Sequence, residues 1–285
     1  MRLPWPGSQP HSQRGVALVA VLWVVAALSI LVTGLVQTQR EEIRTASSSR
    51  LRLQADALGQ GAINLAVQML RADGGGPERR ERLTRMSVAY GGVAMQVEIQ
   101  PLTGLVDLNL APGPLLAAMF TVGGGLDAAT AQQLAASVVA AREARPAGPP
   151  PRFQAPEELL GVAGVDYDLY AKLANLLTTD SRGSGRINPL AAPPGVLLLL
   201  AGGDQTVAGQ IAADRDANVP GMDTTRLQAA VTDKSVTTRF RFSALVPFPD
   251  GSQVTVARDI DIAPTADGTA PWRTMRTHAP VMSPR

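Results

Sequence analysis

A chain of 285 residues, 45% of them hydrophobic but only 4% aromatic, suits one or two domains whose core is built mainly from Ala, Val and Leu. A net charge of +2 is too small to imply nucleic acid by itself. The absence of Cys excludes disulfides, thiolate metal sites and Cys nucleophiles together, and the only histidines, His11 and His278, lie in end segments without regular pattern, which argues against a His-centred catalytic or metal site.

Between Gly15 and Gln39 there is no charged residue, and residues 16–36 are almost unbroken apolar sequence. As a helix rising about 1.5 Å per residue, such a segment spans roughly 30 Å, the thickness of a bilayer core. Arg2, His11 and Arg14 precede it, and the first acidic residue is Glu41. That flank predicts a single-pass helix with a cytoplasmic N-terminus and an exported remainder, which in a Gram-negative envelope is inner membrane and periplasm. A cleaved secretory signal would have an apolar region of about 7–15 residues followed by a small-x-small site. This span is longer, and Leu35-Val36-Gln37 is a poor site. A plain signal anchor is the other simple reading, and it leaves a generic membrane-anchored periplasmic interaction protein.

Residues 37–72 stay helix-compatible. They contain no Pro, and Ile43, Ala46, Leu51, Leu58, Ala62, Leu65 and Met69 recur at three- and four-residue steps, an amphipathic stripe. Gly74-Gly75-Gly76-Pro77 ends the helix. Residues 86–90 and 93–101 flank Gly91-Gly92, and Val93, Met95, Val97 and Ile99 alternate with polar positions, which predicts a hairpin with one buried face. Residues 105–110 are a third candidate strand, giving first strands over 86–110.

Helical patterns then occupy 111–234. They fall at 114–120, at 127–144 with Asp127 as N-cap, at 155–160, 168–178, 196–200, 207–214 and 225–230, with a Pro-rich linker at 146–151. Strand character returns at 235–247 and 253–262, joined by Pro249-Asp250-Gly251, giving last strands over 235–263. Residues 264–285, rich in Pro and Thr, are expected to be disordered. Two hairpins on either side of a helical block predict an α+β domain with the block inserted into one sheet.

The turn at 161–165 between two predicted helices has the form of a helix-hairpin-helix connection, which can hold DNA phosphates. From 153 to 180, however, Glu157, Glu158, Asp166, Asp168 and Asp180 face Lys172 alone, so phosphate binding lacks its driving force and no nucleic acid is expected. No Gly-x-Ser-x-Gly, Walker loop or His-Glu-x-x-His occurs, and Gly123-Gly124-Gly125 has no Lys after it and reads as a turn. Asp56, Asp107 and Asp166 show no pairing in the sequence. Neither an enzyme nor a cofactor is expected.

Arg14-Gly15-Val16-Ala17-Leu18-Val19-Ala20-Val21-Leu22-Trp23 resembles the prepilin-type leader of type II secretion pseudopilins. The resemblance implies a leader over 1–15, cleavage by a prepilin peptidase between Gly15 and Val16, N-methylation of Val16, a transmembrane helix over 16–36 and its periplasmic continuation over 37–72. Most pilins carry Glu at the fifth mature position; here it is Ala20. The member that lacks this Glu is the minor pseudopilin K, the general secretion pathway protein K, whose place at the filament tip leaves no neighbour above to pair with. A buried carboxylate without a partner would be costly there. Two further stretches are similar to that family: Phe153-Gln154-Ala155-Pro156-Glu157-Glu158-Leu159-Leu160-Gly161-Val162-Ala163-Gly164-Val165, and, in degraded form, Arg186-Ile187-Asn188-Pro189-Leu190-Ala191-Ala192-Pro193.

The resemblance implies a type IV pilin-like fold, a long N-terminal helix packed on a small antiparallel sheet, with a large all-helical insertion. It implies a subunit that caps the periplasmic pseudopilus and helps initiate its assembly for export of folded proteins across the outer membrane. The implied partners are the minor pseudopilins I, J and H, the major pseudopilin, the prepilin peptidase, the inner-membrane assembly platform and membrane lipid. Family members often carry a calcium-binding acidic cluster early in the insertion. Here residues 142–152 hold Glu143 alone among Arg and Pro, so no metal site is carried over.

Overall fold

The computed structural model describes residues 14–72, 81–143, 153–265 and 268–283, with side chains in the first stretch described at 20–28 and from 49 onward. The chain divides into two units, Met1–Gln54 and Ala55–Arg285, and helix α1 (Arg14–Ala72) contributes residues to both.

In the first unit, Val21, Leu22, Trp23, Val24 and Leu28 of α1 are all exposed, Trp23 at 73%. Consecutive positions step about 100° around a helix, so these apolar side chains ring it instead of forming one stripe. Among the described residues no helix is long and apolar enough to cross a membrane. Of the expected span 16–36, the side chains at 16–19 and 29–36 lie outside the described ones, as do residues 1–13 of the expected leader.

The second unit is built on a six-stranded antiparallel sheet. Its strands are β1 (Thr84–Tyr90), β2 (Val93–Pro101), β5 (Arg239–Pro247), β6 (Gln253–Asp261), β7 (Arg273–Thr277) and β8 (Val281–Ser283), with β1-β2-β5-β6-β7 in order and β8 also on β6. Gly91 and Gly92, at φ +59° and +78°, form the two-residue turn that closes Tyr90 on Val93. Two left-handed residues are what a tight hairpin of native twist requires. Met95, Val97 and Ile99 alternate inward, as do Phe240, Phe242, Ala244 and Val246 on β5, and all are buried. Ala55, Ala62, Ile63, Ala66, Val67 and Leu70 of α1 are buried too. Gly59 marks the close approach of helix to sheet: a Cβ there would stand 2.7 Å from the Val256 Cβ.

Between β2 and β5, which are hydrogen-bonded neighbours, the chain leaves the sheet and builds a second core. Its elements are β3 (Val106–Asp107), α2 (Gly113–Ala118), α3 (Ala128–Glu143), α4 (Tyr167–Leu173), β4 (Leu177–Thr178), α5 (Pro194–Leu200) and α6 (Gln205–Asp216). Leu115, Leu116, Phe120, Leu134, Leu173 and Leu197 are among its buried side chains. Asp127 caps α3, its Oδ1 accepting from the N–H groups of Ala129 and Thr130, both at 3.0 Å.

The α+β class follows from this order of elements, but three expectations need correction. The inserted block is not all helix, because β3 and β4 pair in parallel within it. The candidate strand at 105–110 therefore belongs to the block, not to the sheet: Leu105, Val106 and Leu108 are all buried in the second core, which a strand with one solvated face would not allow. The segment expected to be disordered over 264–285 supplies β7 and β8, which cover the outer edge of β6. An edge strand with mostly exposed side chains needs no apolar alternation, since its backbone hydrogen bonds hold it.

Candidate functional site

Where the block meets the sheet, β5 and β6 carry charges on the positions between their buried apolar residues. The register sets Arg239 opposite Asp261 and Arg241 opposite Asp259. Arg241 donates through Nε and Nη2 to the two Asp259 oxygens, at 2.8 and 3.1 Å, and also to the Leu177 carbonyl at 3.4 Å. Arg239 donates to Asp261 Oδ2 at 3.2 Å and to the Asp180 carbonyl at 3.3 Å, and it is paired with the Asp180 carboxylate. Each guanidinium thus joins the sheet to the 177–180 segment of the block. All four side chains on the strands are buried, so each depends on its partner: a buried charge left alone costs several kcal/mol.

Burial pushes the Asp259 carboxyl up, but the neighbouring His278 side chain, the hydrogen bonds from Arg241 and the Arg241 charge outweigh it and bring it down to about 2. The His278 Nε2 stands 3.0 Å from Asp259 Oδ1. Asp261 is also lowered: burial opposes it, and the Thr238 hydroxyl, the Ala263 N–H and Arg239 prevail. A cavity of about 330 Å³ remains beside this seam, lined by Thr178, Asp180, Asp259, Arg273 and Arg276 among others. Carboxylates held ionised this firmly are poor proton donors near neutral pH, and their chemistry here is to hold charge in place.

A second set of polar anchors fixes the root of the block. Asn188, fully buried, donates through Nδ2 to the carbonyls of Glu81 (2.9 Å) and Ser235 (3.2 Å). Its Oδ1 accepts from Leu190 N at 3.0 Å, and its own N–H donates to Thr103 O at 2.9 Å. One residue therefore ties together the segment before β1, the start of the insertion and its end. Asp107 accepts from Ser181 N and Oγ, both at 2.8 Å, and Asn109 donates to Phe153 O and Thr179 O at 2.9 and 2.7 Å. The carboxylates that looked unpaired in the sequence have partners: Asp107 has Ser181, Asp166 caps α4 through Leu169 N, and Asp56 on α1 pairs with Arg258. Alternation of Arg with Phe at 239–242, against Asp with Ile at 259–261, is the signal that could have found the strand pairs.

The turn at 161–165 is a core element. Val162, Val165 and Leu169 pack into the second core, and Gly164 sits at φ +94° against Leu134. Asp166 already caps the helix start that would face a phosphate. Of the residues singled out for processing, Gly15 and Val16 fall in the first turn of α1 and Ala20 lies one turn on, exposed. The side chains of Gly15 and Val16 lie outside the described ones. Among the described residues no cluster of His, Asp or Glu could hold a metal ion.

The geometry defines an α+β protein with a long N-terminal helix and a block spliced between adjacent strands. No family profile and no curated protein matches the sequence. Among solved structures the chain is similar to one in the GspK-GspI-GspJ complex of the enterotoxigenic Escherichia coli type 2 secretion system, with a TM-score of 0.45 and 13% identity over 87% of this chain and 99% of that one.

Proposed function

We propose that the chain is a minor pseudopilin of a type II secretion system, placed at the tip of the periplasmic pseudopilus, with a pilin-like fold. The observation that carries the reading is the combination of an apolar helix following Arg14-Gly15 with a sheet that packs on the same helix and is interrupted, between neighbouring strands, by a separate core. The ring of exposed apolar side chains around Val21–Val25 suits a helix whose surroundings are lipid or other apolar helices. The Ala20 position suits a subunit with no neighbour above, because it leaves no carboxylate to be neutralised.

On this reading the prepilin peptidase cuts between Gly15 and Val16 and Val16 is methylated. A glycine there costs little to extend, and the first helical turn has few internal hydrogen bonds to lose. The subunit waits in the inner membrane, N-terminus cytoplasmic, until the assembly platform builds the filament. Its partners are the minor pseudopilins I, J and H and the major pseudopilin, and the work done is assembly, with no chemical step.

The test is co-purification. The full chain is coexpressed with minor pseudopilins I and J of the same cell and extracted in mild detergent. A complex that persists at roughly micromolar concentration is expected. Failure of all three to associate at that level contradicts the reading.

A further inference from the structure

β6 is buried along most of its length, with Val254, Val256 and Ile260 in the core. The chain that covers its outer edge is not. Among the described residues from Pro264 to Met282 none is buried. β1, the strand at the other edge of the sheet, sinks Val88 into the core; β7 sinks no side chain.

Backbone pairing and polar contacts hold β7 and β8 in place. β7 pairs with 258–261, with a register shift between Asp259 and Ile260, and β8 pairs with 253–255. Between them His278 N donates to the Ala257 carbonyl at 3.1 Å. Arg276 reaches across to the block, donating to Glu157 Oε2 at 2.8 Å and to the Gln154 carbonyl at 3.0 Å. The Glu157 side chain is 57% exposed, and an ion pair that open to water contributes little. The Pro271 carbonyl accepts from Arg71 of α1, whose guanidinium lies 6.0 Å from the centre of the Trp272 ring.

The boundary of this loosely held chain is sharp. Ile262 is buried, and its N–H donates to the Thr238 carbonyl at 2.8 Å. Just beyond it Pro264 is exposed, and Thr265 and Ala270 bond to each other in a turn closed on itself. A segment without buried apolar side chains lacks the contribution that ties the other strands to global unfolding, so it can open at a lower free energy than they do.

We propose that β7 and β8 form a strap that leaves β6 as one unit, hinged just after Ile262, while the rest of the sheet and the block stay folded. Closed, the strap guards the 253–261 edge, a row of backbone N–H and C=O groups that would otherwise be open to pairing with another chain. Arg273, Thr274, Met275 and Arg276 share the wall of the seam cavity with Asp259, so opening also admits water to that carboxylate. The device does not depend on the proposed place in a filament.

The test is native-state hydrogen exchange of the full chain in detergent. Amides bonded across β6–β7 and β6–β8 are expected to exchange at one common rate, roughly a hundredfold faster than those bonded across β2–β5. Arg276→Gln removes the tie to Glu157 without touching the core. It should speed the whole first set by one factor, about two- to fivefold, and leave the second set unchanged. Equal exchange in the two sets would overturn the proposal. So would an Arg276→Gln effect that is absent, confined to β7, or shared by the β2–β5 amides.

Discussion

Arg241 and Asp259 stand opposite each other on neighbouring strands, joined by two hydrogen bonds of 2.8 and 3.1 Å in a buried seam. The Asp259 carboxyl, ordinarily near 3.8, is held down to about 2 when folded. Because the folded value lies below the unfolded one, the stabilisation is present in full above about pH 4 and is lost as pH falls from there towards 2. The amount is about 2 kcal/mol. Urea titrations of the full chain at stepped pH should show this loss, and it should be absent in Asp259→Asn. That variant should itself cost about 3–5 kcal/mol at neutral pH, since it strips Arg241 of its counter-charge.

Asn188 joins the Glu81 and Ser235 segments through one side-chain amide. Asn188→Ala removes two donated bonds and one accepted bond in a fully buried place, and should destabilise the protein by about 2–3 kcal/mol. Asn188→Asp keeps the shape but turns a carboxylate towards the carbonyls of Glu81 and Ser235, and should be worse. Chemical denaturation orders the variants; a neutral Asn188→Asp would contradict the role given to Nδ2.

Gly59→Ala sets helix propensity against space. Propensity favours Ala by about 1 kcal/mol. The new methyl would stand 2.7 Å from the Val256 Cβ, which cannot rotate away, so overpacking should win and the net effect should be a loss of about 1–2 kcal/mol. Val256→Ala in the same chain should recover part of it. Additive losses in the double variant would show that the two residues do not meet.

Removing residues 264–285 takes away β7, β8, the Arg276–Glu157 pair and the His278 contact with Asp259. The Tm should fall, by about 2–4 °C for each kcal/mol lost. The β6 amides near 253–261 should also exchange faster in deuterated buffer. Unchanged exchange there would mean that the C-terminal strands do not cover that edge.

How far the sequence revealed this molecule depended on whether a residue's partner was local. Gly91-Gly92 and Pro249-Asp250-Gly251 announced their hairpins because a short turn is specified by its own residues. Asp127 announced α3 for the same reason. β7 and β8 gave no pattern, because Arg273, Thr274 and Val281 are exposed and an edge strand is held by its backbone. The Arg–Asp seam was half visible, as charges alternating with Phe and Ile in two segments of like period, but only the register joins them. Asn188 stood in a stretch that resembles a family motif, yet nothing near it in sequence reveals that it reaches Glu81 and Ser235. The processing residues Gly15, Val16 and Ala20 rest on sequence resemblance alone.

The mass of the mature N-terminus tests the central claim most directly. The full chain is coexpressed with a prepilin peptidase, and its intact mass and N-terminal peptide are measured. A chain that begins at Val16 and carries a methyl group on its amine is the expected result, lost when Gly15 is changed to a bulky residue. An N-terminus still at Met1, or a cut far from Gly15, would contradict the assignment as a pseudopilin.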